Sequence, residues 1–126
     1  MNLRESFAAF DAQRDGTYHT TGHTADGYAV AIVDHELALG NEKGTLQHRS
    51  KFSEWNGDPN PLTTRDWVDT MDDALASRLP LRLIVATGAK SGARKISDCT
   101  PRSDIVGYVD EWDGENLTIT FRRASV

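Results

Sequence analysis

The 126-residue chain has a single cysteine, Cys99. A lone thiol closes no intramolecular disulfide, so stability must come from a core, and the expected compartment is reducing and cytoplasmic. No apolar run approaches the ~20 residues that a membrane-crossing helix needs. Residues 1–14 break their apolar positions with Arg4, Glu5 and Asp11, so no secretory signal is expected there. An excess of cations is also missing. Fourteen Lys and Arg stand against nineteen Asp and Glu, a net charge of −5. A generally basic nucleic-acid binder is disfavoured, although a local basic face is not. Internal repeats and low-complexity segments are absent.

Strong catalytic motifs are lacking as well. No G-x-S-x-G elbow occurs. The loop Gly88-Ala-Lys-Ser-Gly-Ala-Arg-Lys95 follows an apolar strand, yet it has three residues between its glycines and lacks Lys-Ser/Thr after the second. It is therefore no Walker loop, although its amides with Lys90, Arg94 and Lys95 could touch an anion. His19 and His23 have a zinc-like spacing only on a helix, and their surroundings are rich in Thr and Gly. Whether they converge with His35 and His48 is open at this point. No metal or cofactor is expected, and Cys99 has no helix N-terminus to activate it.

What is present is secondary structure in blocks. Asn2 caps a first helix with Glu5 at its third position, and Leu3, Phe7 and Phe10 form one apolar face up to Asp15-Gly16. Thr17 to Thr20 reads as a loop or weak strand. Tyr28 to Val33 is β-rich, extended past Asp34 by Leu37 and Leu39, with a return strand over Thr45 to Arg49. Residues 50–62 read as irregular around Pro59 and Pro61, and carry Phe52 and Trp55. Thr63 or Thr64 begins a second helix that Pro80 ends, with Trp67, Val68, Met71 and Leu75 inward. Leu81 to Val85 is a strand and Ala93 to Asp98 a short one. Ile105 to Trp112 and Leu117 to Arg123 form a hairpin about Asp113-Gly114.

These blocks predict one α+β domain spanning 1–126. Two helices pack on a mostly antiparallel sheet, and the C-terminal β-meander could curl into a small, partly open barrel. The charges are uneven. Residues 52–77 hold six acids (Glu54, Asp58, Asp66, Asp69, Asp72, Asp73) against Arg65. Residues 82–102 hold Arg82, Lys90, Arg94, Lys95 and Arg102 against Asp98. The leading expectation is a non-enzymatic inhibitor or regulator of the immunity or anti-defence type. Trp55, Asp66, Asp69, Asp72 and Asp73 would contact a basic surface of a protein partner. The alternative is a nucleic-acid module using Lys90, Arg94, Lys95 and Arg102 with an aromatic loop at 52–55. An enzyme with no recognisable motif is a second alternative. Each charged face has a plainer reading as solubilising surface.

Overall fold

The computed structural model describes residues 2–14, 16, 19–55, 61–87 and 98–124. Three α-helices and one 3-10 turn accompany a seven-stranded sheet. Helix α1 (Leu3–Ala9) carries a complete capping box: the Asn2 side chain accepts from the Glu5 amide, and Glu5 accepts from the Asn2 amide. The helix stops before Asp15-Gly16, because Asp11 takes a left-handed backbone (φ 53°) just past it. Strand β1 (Thr21–His23) follows, later than the expected Thr17–Thr20, and pairs with β2 (Tyr28–Val33).

Asp34–Glu36 form the 3-10 turn η1, so Leu37 and Leu39 do not extend β2. They form β3 (Leu37–Leu39), which pairs with β4 (Leu46–Lys51). The stretch expected to be irregular holds a single helical turn, α2 (Phe52–Trp55). Helix α3 (Pro61–Ala76) begins at Pro61, not at Thr63 or Thr64. A first-turn proline lacks only an N–H that would have had no partner. Strands β5 (Leu81–Thr87), β6 (Asp98–Trp112) and β7 (Asn116–Arg123) complete the fold. Of the short strand expected over residues 93–98, only Asp98 lies within the described residues, as the first residue of β6.

The strand order is β1-β2-β5-β6-β7-β4-β3. Only β2 and β5 run parallel; the other neighbours are antiparallel. Strand β6 runs 15 residues, through Pro101 and the stretch 99–104 that the expected strands left between them. Its first part pairs with β5 and its last part with β7, with the β5 register shifting between Arg102 and Gly107. At Pro101 the strand is thus a local edge, and a missing amide hydrogen breaks no ladder there.

The sheet curls without closing into a barrel. Five inter-strand steps separate β2 from β3 in the sheet order, roughly 24 Å if flat. The link from Val33 to Leu37 spans at most about 14 Å. Turn η1 accordingly reaches across the curl and touches both β5 and β4. On the inner face Met71 and Ala74 of α3 join Val30, Leu83, Ile119 and Phe121 in the main core, with Trp67, Val68 and Leu75 partly buried beside them. On the outer face α1 lays Phe7 over Ala29, Ala31, Ile84, Ala86 and Cys99. Beyond α1 the outer face carries Tyr108, which is 40% exposed.

Candidate functional site

The helical period of α3 puts Asp66, Asp69 and Asp73 to one side of its apolar stripe, with Asp72 adjacent. Three of the four also accept hydrogen bonds from side chains of the sheet. The Thr21 hydroxyl donates to Asp66, and Thr70 donates to Thr21 at 3.3 Å. Tyr28 Oη donates to Asp73 at 2.6 Å, and Trp112 Nε1 donates to Asp72 at 2.6 Å. The cause is geometric. Buried Tyr28 and Trp112 each have a polar atom at the rim of the core, and a carboxylate on the adjoining helix satisfies it. Asp69, Asp72 and Asp73 are nonetheless exposed, whereas Asp66 is only partly so. The helix therefore still presents an acidic rim, and two of its three exposed carboxylates are held in place by the sheet.

His19 Nδ1 is buried and lies 3.1 Å from Asp66 Oδ2, off the line of a hydrogen bond. His23 stacks against Tyr28 with ring centroids 4.9 Å apart. His35 is exposed beside Asp34. His48 is buried on β4, near the opposite edge of the sheet from β1. The histidines on β1 and β4 are thus not brought together, and no group of three metal-ligating side chains occurs among the described residues. Cys99 lies under α1, and burial pushes its thiol pKa up, away from the reactive thiolate.

The basic segment is described only at its ends. Arg82 pairs with Asp26 at 3.2 Å. Arg102 meets Asp104 through two 2.8 Å bonds, and that guanidinium pulls the Asp104 pKa down to about 2. Lys90, Arg94 and Lys95 lie outside the described residues, as does the side chain of Trp55. No described helix is long and apolar enough to cross a membrane.

One pair of residues near the β3 edge was not singled out in the sequence. His48 and Ser50 alternate on β4, and their side chains meet on one face of the strand. The signal available was an H-x-S spacing that ran past the expected end of the strand at Arg49, because Ser50 was read into the irregular stretch 50–62. It carried little weight because two such residues occur together in many strands without consequence. Compared with known proteins, the chain matches no family model and no curated protein.

Proposed function

We propose that the protein is a binding protein of the inhibitor or regulator type, immunity or anti-defence in character. Its α3 carboxylates would meet a basic surface on a protein partner. The supporting observation is the anchoring of Asp72 and Asp73. Each is exposed, and each has one oxygen fixed by an aromatic donor of the sheet. The other oxygen takes no part in that bond. A carboxylate already held in one rotamer loses less freedom when a partner binds it. A one-signed array also speeds and orients the encounter, and it can stand where phosphates would sit on a basic protein. Asp69 adds a third exposed charge on the same helix.

The test is isosteric neutralisation. The triple variant Asp69→Asn, Asp72→Asn, Asp73→Asn removes three charges but keeps oxygens that accept from Trp112 and Tyr28. Its thermal midpoint should stay close to the parent's. Association with the partner captured from the native host should slow by about tenfold at low salt, with a shallower salt dependence. Unchanged association at low salt sinks the reading. Loss of binding only in Lys90→Glu, Arg94→Glu, Lys95→Glu would assign the contact to the basic segment instead.

A further inference from the structure

The geometry points to a second site, distinct from α3: we propose that Ser50 is a nucleophile activated by His48, able to accept an acyl group from a small carboxylic ester and release it to water. The inference goes beyond the binding reading and does not depend on it. His48 Nδ1 lies 3.2 Å from the Glu36 carbonyl oxygen. A carbonyl only accepts, so Nδ1 carries the proton and the neutral ring turns a lone pair outward at Nε2. That Nε2 lies 3.1 Å from Ser50 Oγ, so the hydroxyl donates to it. A hydroxyl bonded to a base, with the base oriented by a third group, is the arrangement that activates a serine. Here a backbone carbonyl orients the ring where a carboxylate often does.

The surroundings suit both partners. His48 is 2% exposed, and burial lowers its pKa, which keeps the base unprotonated. The Glu36 carboxylate on η1 opposes that shift without overcoming it, and α3 presents the Trp67 ring, centred 6.2 Å away. Ser50 is only half-buried. It is among the residues lining a groove of about 560 Å³ at the β3 edge, with Glu36, Leu37, Leu39 and Glu54. Leu37 and Leu39 offer an apolar wall for an acyl chain, and Leu39 is 88% exposed.

The chemistry balances with water as the only co-reactant. Ser50 Oγ forms a bond to the ester carbonyl carbon as its proton moves to His48 Nε2. Collapse of the adduct breaks the bond to the alcohol oxygen, which leaves with that proton. Water then attacks the acyl-Ser50 ester, again giving a proton to Nε2. The acid departs, and the proton returns to Ser50 Oγ.

The full chain is treated with a fluorophosphonate and mapped by mass, and p-nitrophenyl butyrate turnover is followed in parallel. One adduct is expected, on Ser50. The neighbouring exposed Ser53, whose hydroxyl bonds Glu115 at 2.7 Å, should remain unlabelled as an internal control. Ser50→Ala should abolish both adduct and turnover, and His48→Gln should slow labelling by about 100-fold. Because His48 is buried, its variant is first checked for native circular dichroism. If that variant is not folded, the pH dependence of labelling in the parent decides. The rate should fall on acidification only below 6.5, the ordinary histidine value, because the buried ring titrates lower. No adduct at Ser50, equal labelling of Ser53, full labelling of folded His48→Gln, or a rate that follows pH only above 7 would each overturn the proposal.

Discussion

Single side chains decide how closely this sheet can pack. Gly107 sits opposite Phe121, and a β-carbon there would come within 2.4 Å of the ring. Gly107→Ala must displace a fully buried phenyl group, and is expected to destabilise the fold by about 1–3 kcal/mol in urea denaturation. His48 sets a second residue-scale expectation. Desolvation lowers its folded pKa below the ordinary 6.5. The unfolded chain therefore takes up this proton first, and stability from this group is complete above about pH 6.5. It declines as pH falls from there toward the folded value and levels off below it. Urea midpoints measured between pH 8 and pH 5 should show the decline, and His48→Gln should flatten it. Neither feature was legible beforehand. A glycine in a strand gives no sign of which ring crosses it, and a histidine in a strand gives no sign of its burial.

At the scale of elements, much of the fold was readable, and the reasons are local. The capping box of α1, the Asp113-Gly114 hairpin and the alternation of Leu117, Ile119 and Phe121 each depend on residues within a few positions. The errors fell where partners distant in sequence decide. Leu37 and Leu39 look like a continuation of β2 until β4 claims them, and Cys99-Thr100-Pro101 joins a strand because β5 lies alongside. The four aspartates of α3 were read from the helix alone. Tyr28, Trp112 and Thr21, which hold three of them, come from other parts of the chain. Helix α1 offers a direct test of element docking, because it is only seven residues long and covers the one thiol. Asn2→Ala removes its cap at an expected loss of about 1 kcal/mol. Local undocking should then raise the reaction rate of Cys99 with a thiol reagent by about fivefold, and the global denaturation midpoint should fall by no more than that same ~1 kcal/mol accounts for. An unchanged rate would mean that α1 does not gate the thiol.

For the whole molecule, the two helical layers divide the work. The α3 side buries the larger core and the α1 side the smaller. The α+β class and the mostly antiparallel sheet follow from the order of elements, whereas the strand order does not, since three local hairpins can be joined in several ways. The hairpins β1–β2, β3–β4 and β6–β7 are stitched together by β2–β5, β5–β6 and β4–β7. Trp67→Ala tests the larger core. The side chain is partly buried beside His48, and an expected loss of about 3 kcal/mol should appear in the denaturation midpoint. An unchanged midpoint would place the ring outside the core energetically. The short turn η1 has a consequence for how the chain reaches this state. It ties β2 to β3 across the curl, and the strand pairs β2–β5 and β4–β7 that flank it join residues far apart in sequence, Tyr28 with Leu81 and Leu46 with Phe121, so both enclose long loops. The entropy of those closures is lost before their contacts form, which places folding in the slower, millisecond-to-second range of small domains. In a stopped-flow experiment, lengthening η1 with glycines would therefore change the refolding rate as well as the stability.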